Sequence, residues 1–87
     1  MKKTCVCCGY KTIDENLLFA TCEICYWKDD PIQSSEADST EGENAPLSLR
    51  EAQQNFKVFG ACNIDFISYV RKPIELDEKD ELFVPYS

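Results

Sequence analysis

The chain has 87 residues, 16 acidic and 9 basic side chains, a formal net charge of −7 and no histidine. A chain this short makes one domain with a small core, which normally needs a disulfide or metal staple, and its six cysteines can supply one. The acidic balance disfavours a phosphate backbone, whose binding needs Lys and Arg, and a chain without histidine has no Ser-His, Cys-His or His-metal chemistry.

Residues 1–28 form a cysteine-rich block. Met1-Lys2-Lys3 runs directly into Thr4-Cys5 with no apolar h-region, so no signal peptide is read here. The apolar stretches are a few residues long, far short of a membrane span. The expected location is a reducing cytoplasm, where clustered cysteines bind metal more often than they pair as disulfides. Cys5-x2-Cys8 and Cys22-x2-Cys25 are two knuckles separated by 13 residues. In such turns both sulfurs face one ion, and two turns complete a tetrahedral four-cysteine site with Zn–S of ~2.3 Å. Gly9, directly after Cys8, suits a turn that needs φ > 0. The expected cofactor is one structural Zn2+ held by Cys5, Cys8, Cys22 and Cys25; four cysteines also suit iron, as in rubredoxin. Four protein ligands close the site, so no metal-bound water is expected. Four thiolates and the ion take the formal charge from −7 to about −9. Cys7 and Cys62 are left over, Cys7 as a small buried side chain or an exchange ligand and Cys62 as a core residue. Between the knuckles, Ile13, Leu17, Leu18 and Phe19 suggest a short strand or hairpin around the turn Asp14-Glu15-Asn16.

Residues 29–46 read as an acidic loop, opened by Asp29-Asp30-Pro31 and almost without apolar content; a loop this long is functional or mobile. Residues 47–73 are the helical part. Ser48 and Glu51 form a capping box for a helix over 48–59, Leu49, Ala52, Phe56 and Phe59 share a face, and Gly60 supplies the left-handed stop. A second short helix over 63–71 would be capped by Asn63, with Ile64, Ile67 and Val70 three residues apart, and stopped by Pro73. The tail, 74–87, carries five acids and one lysine and is expected to be extended, docking through Leu82 and Phe83. The whole is a single small α+β domain: zinc-ribbon-like knuckles with short antiparallel strands plus one or two helices.

Cys5-Val6-Cys7-Cys8-Gly9-Tyr10 and Cys22-Glu23-Ile24-Cys25-Tyr26-Trp27-Lys28-Asp29-Asp30 resemble the signature of the bacterial cysteine-rich CPCC family. Leu47-Ser48-Leu49-Arg50-Glu51-Ala52-Gln53-Gln54-Asn55-Phe56, then Phe59-Gly60-Ala61-Cys62, looks like that family's helix. The likeness runs from about residue 4 to 73. Val6 stands where the family has proline, which removes a rigid turn residue and no ligand. The resemblance implies a zinc-ribbon-like domain of bacterial origin and assigns no catalytic residue.

No phosphate-cradling loop can be built from three glycines, and Asp29-Asp30 reads as a turn cap rather than acid–base machinery, so no enzyme is expected. The leading expectation is a protein-binding inhibitor or immunity protein that masks a basic toxin, nuclease or other enzyme. Its contacts would be Asp29, Asp30, Glu36, Asp38, Glu41 and Glu43 in the loop, and Glu75, Asp77, Glu78, Asp80 and Glu81 in the tail. Such segments imitate phosphate and steer a basic cleft. The alternatives are a structural or adaptor module in a larger assembly, a nucleic-acid-binding ribbon stacking Tyr10, Tyr26 and Trp27 on bases, or a rubredoxin-like electron carrier.

Overall fold

The computed structural model describes residues 2–86; Met1 and Ser87 lie outside them. Strands β1 (Lys2–Thr4) and β2 (Lys11–Asp14) pair antiparallel, so the hairpin straddles the first knuckle rather than the turn at 14–16. Closure of the knuckle brings these strands together: the Cys5 N–H donates to the Tyr10 carbonyl at 2.8 Å, and the ladder continues outward from there. Leu17, Leu18 and Phe19, expected in a strand, form an exposed turn instead.

The register runs Lys2↔Asp14, Lys3↔Ile13, Thr4↔Lys11, which leaves Thr12 as an extra residue. The bulge breaks the in–out alternation of a strand. Thr12 and Ile13 are therefore both buried although adjacent.

The acidic loop is ordered. Helix α1 (Pro31–Ser35) starts in it, with Asp30 as N-cap accepting from the Ile32 and Gln33 N–H groups and Pro31 as its first residue. The remaining turns hang on a polar network. Gln33 is fully buried; its Nε2 donates to the Ser39 and Leu47 carbonyls, and its Oε1 accepts from the Asn44 N–H and Nδ2. Asn44 also exchanges hydrogen bonds with both backbone groups of Lys28.

Helix α2 (Leu49–Phe59) has the expected capping box at Ser48 and Glu51 and ends on Gly60 at φ 77. It buries Leu49, Ala52 and Gln53. The expected second helix is a 3₁₀ helix over Ile64–Tyr69 capped by Asn63. Its three residues per turn match the Ile64/Ile67 spacing, but those side chains face solvent and Phe66 turns inward. The tail folds back along the hairpin: the Lys11 N–H donates to the Glu78 carbonyl and the Asp80 N–H to the Gly9 carbonyl, each at 2.8 Å. Phe83 docks, half-buried, whereas Leu82 is 90% exposed. Among the described residues, no helix is long and apolar enough to cross a membrane.

The core is one cluster built around the six cysteines, with Ile13, Ile24, Trp27, Leu47, Leu49 and Ala52 against them.

Candidate metal centre

The two knuckles share one backbone pattern. In the first, the Cys5 N–H donates to the Tyr10 carbonyl and the Gly9 N–H to the Cys5 carbonyl. In the second, the Cys22 N–H donates to the Trp27 carbonyl and the Tyr26 N–H to the Cys22 carbonyl. Gly9 and Tyr26 are therefore equivalent positions, and both are left-handed, at φ 83 and 73. Glycine accepts that conformation freely. Tyr26 does not, and its ring is held by packing on Phe66 (centroids 4.8 Å apart) and Tyr69 (5.6 Å). At Gly9 the space a side chain would need is taken by the Phe83 ring, whose Cδ2 lies 2.5 Å from an ideal Cβ.

These turns bring the sulfurs of Cys5, Cys8, Cys22 and Cys25 within 4.8 Å of one another, and all four residues are buried. The Cys5–Cys25 and Cys8–Cys22 sulfur pairs are 3.6 and 3.7 Å apart. That is far beyond a disulfide's ~2.05 Å and close to the ~3.8 Å edge of a tetrahedron with ~2.3 Å metal–sulfur bonds. The four cysteines are positioned to bind one metal ion.

Electrostatics points the same way. Hydrogen bonds from Cys25, Cys5, Cys8 and Thr12 hold the Cys22 thiol far below the usual thiol range. Cys5 and Cys8 are pushed far up, chiefly by their hydrogen bonds to Cys22, and Cys25 is pushed up chiefly by burial. Three of the four thiols thus resist ionising in so tight and buried a group. A divalent cation reverses this, because a coordinating thiol is deprotonated outright. Cys7 and Cys62 are buried beside the cluster but outside the four-sulfur group, and burial pushes the Cys62 thiol up to about 12.

Sequence reasoning missed Thr12. The bulge aims its hydroxyl at the Cys22 sulfur, 2.9 Å away, and the Ile24 N–H lies 3.4 Å from the same atom. Such donors stabilise a thiolate and orient it toward an ion. Only the register slip in β2 reveals this role.

The acidic residues expected at a partner face divide into two groups. Asp29 and Asp30 are buried: Asp29 pairs with Lys3 at 2.8 Å, and Asp30 takes the Glu43 N–H as well as its helix cap. Asp38 pairs with Arg50, Asp77 with Arg71 and Glu78 with Lys11, each at 2.7 Å. Asp80 accepts from Thr4 and the Leu82 N–H. The Arg71 guanidinium, ahead of the Ile74 N–H, holds the Asp77 carboxyl down at about 2. Glu36, Glu41, Glu43, Glu75 and Glu81 are exposed. Among the described residues, nothing hydrogen-bonds or ion-pairs with their carboxylates.

A search of curated proteins found no match. The family model described as "Cysteine-rich CPCC" covers residues 3–77, taking in both knuckles, α1, α2 and the 3₁₀ helix, and the chain belongs to that cysteine-rich CPCC family.

Proposed function

We propose that the chain is a zinc-stapled, non-catalytic protein of the reducing cytoplasm that works by binding another protein, as an inhibitor covering a basic surface. The observation that carries this is the state of the loop over 36–43. Its Glu36, Glu41 and Glu43 carboxylates have no internal partner among the described residues, while its backbone is fixed by the network of the buried Asp30 and Gln33 with the half-buried Asn44. A loop ordered before binding avoids much of the entropy cost of association. Free acids at fixed positions suit recognition of a basic partner and fast, steered encounter. Four thiolates fill a tetrahedral ion, so the metal has no open position for a substrate. Zinc fits an all-sulfur tetrahedral set that needs no redox role.

The test is recovery of the metal-loaded protein from its host, with identification of what accompanies it and metal analysis of the same eluate. One zinc per chain and a stoichiometric basic partner are expected. Association should slow at least tenfold between 0.1 and 1 M salt, as the screening length shrinks from about 10 to about 3 Å. A rate indifferent to salt would refute electrostatic masking. A red, iron-loaded protein would point to an electron carrier instead. An adaptor role is the second reading, favoured by the exposed tail side chains Leu76, Leu82 and Val84.

A further inference from the structure

The turn between the knuckles presents three bulky apolar side chains that the fold does not use. Leu17, Leu18 and Phe19 are 60%, 73% and 38% exposed, and the core cluster includes none of them. The turn is nonetheless fixed. The Asp14 carboxylate accepts from the Asn16 N–H at 2.9 Å, and the Asp14 carbonyl accepts from the Leu17 N–H at 3.2 Å.

Phe19 sits at φ 57, a conformation bulky residues rarely adopt. At Tyr26, the other non-glycine position of this kind among the described residues, packing on Phe66 and Tyr69 compensates the strain. Phe19 has no ring partner among the described residues. Strain that the surrounding fold does not explain is a mark of functional sites.

Together with Lys3, Glu15 and Pro31, the three side chains line a groove of about 300 Å³. Lys3 is neutralised there by Asp29 at 2.8 Å, and the exposed Glu15 carboxylate has no partner among the described residues. The groove therefore has an apolar tip and an acidic edge, on a chain of net charge −7.

We propose that the Leu17-Leu18-Phe19 tip is the apolar anchor of an interface with a partner protein whose complementary surface is an apolar cleft rimmed by Lys and Arg. This rests on the protein-binding reading above and adds where the contact is centred. Interfaces place apolar anchors at the centre and charged groups at the rim. The same negative charge disfavours an anionic membrane as the occupant.

The experiment uses the full, metal-loaded chain. A photo-reactive benzophenone amino acid in place of Leu18 captures the partner in host cells, and the captured protein is identified and produced pure. Its affinity is then measured for the parent, for the double variant Leu17→Ser/Leu18→Ser, and for Glu36→Gln/Glu41→Gln/Glu43→Gln. Both leucines are exposed, so the double variant should keep its metal and its Trp27 near-UV signal. The expected result is a partner with a basic-rimmed apolar cleft and Kd weakened more than tenfold by the leucine substitutions, with salt dependence preserved. The glutamine variant should show a weaker salt dependence and keep the cross-link. Affinity of the leucine variant within twofold of the parent would overturn the anchor and leave the inhibitor reading standing; no partner for the parent would overturn both. Two other outcomes would also overturn the proposal. Leucine-dependent binding to phosphatidylcholine or phosphatidylglycerol vesicles would assign the tip to a membrane. Leucine-dependent self-association in sedimentation would assign it to a second copy.

Discussion

Removing the metal should dismantle the entire domain, not only the residues 1–28 that contain the ligands. Among the described residues, six of the fourteen buried apolar ones are cysteines, and the large ones that remain are Ile13, Ile24, Trp27, Leu47 and Leu49. Leu49 and Ala52 attach α2 to the same cluster, and the Cys62 N–H donates to the Cys25 carbonyl at 2.7 Å. No second core exists among the described residues for the helical part to fall back on. A domain of 87 residues has a net stability of roughly 4–13 kcal/mol, and structural zinc in small sites contributes about 10–16 kcal/mol. Loss of the ion therefore removes as much free energy as holds the fold together. The assay is chelator titration with metal release, the near-UV signal of Trp27 and the far-UV helix signal followed together. All three should move on one curve. Native Trp27 signal after complete metal removal would refute the reasoning; surviving helix signal alone would show that residues 47–73 fold independently.

Metal affinity should fall steeply with acid. Bound thiolates have pKa values depressed by the ion, so their contribution is fully present above the unfolded thiol value of ~8.5 and is lost as pH falls. Because Cys5, Cys8, Cys22 and Cys25 must each give up a proton to ligate the ion, the slope should be about three to four log units per pH unit. Competition with a chromogenic chelator between about pH 6 and 8 reads it, and a slope near one would rule out four thiolate ligands. Gly9→Ala should cost about 1–2 kcal/mol for a Cβ at positive φ and also unseat Phe83, whose ring lies 2.5 Å from that Cβ. Thermal unfolding beside a Phe83→Ala control separates the two parts, and a Gly9→Ala protein as stable as the parent would contradict both. Ser48→Ala should cost about 1 kcal/mol by freeing the Glu51 N–H. Denaturant midpoints measure the cost, and an unchanged midpoint would mean that the cap contributes nothing.

The parts of the fold legible in the sequence are those specified within a few residues. The knuckles needed only cysteine spacing, and Gly9 marked the left-handed position. The ends of α2 were written in Ser48, Glu51 and Gly60. That the fold has short antiparallel strands was legible, but their place was not, because Lys2-Lys3-Thr4 has no apolar alternation and pairs only once the knuckle closes. Asp29-Asp30-Pro31 reads in the sequence as the opening of a loop, and the helix that Asp30 caps was missed because it has five residues, too few for a periodic pattern. Order in the loop comes from Gln33 and Asn44 bonding to groups 14 and 16 residues away, and hydropathy carries no information about that. Nor could the chain say that Phe83 would dock and its neighbour Leu82 would not, since the choice is set by the bare backbone of Gly9.

The acidic composition illustrates why charge counts alone overstate a binding face. Eleven carboxylates lie in the loop and tail, and six of them are used inside the molecule, as helix cap, loop staple or ion pair. The five that remain are the ones available to a partner. The same economy governs the knuckles. Each has one left-handed residue, and each of those residues receives a distant segment: Gly9 takes Phe83 from the tail, and Tyr26 takes Phe66 and Tyr69 from the 3₁₀ helix. An ion that fixes the knuckles therefore also fixes the two seats on which the rest of the chain rests. That is the physical reason why four sulfurs near one end of the sequence can order residues more than fifty positions away.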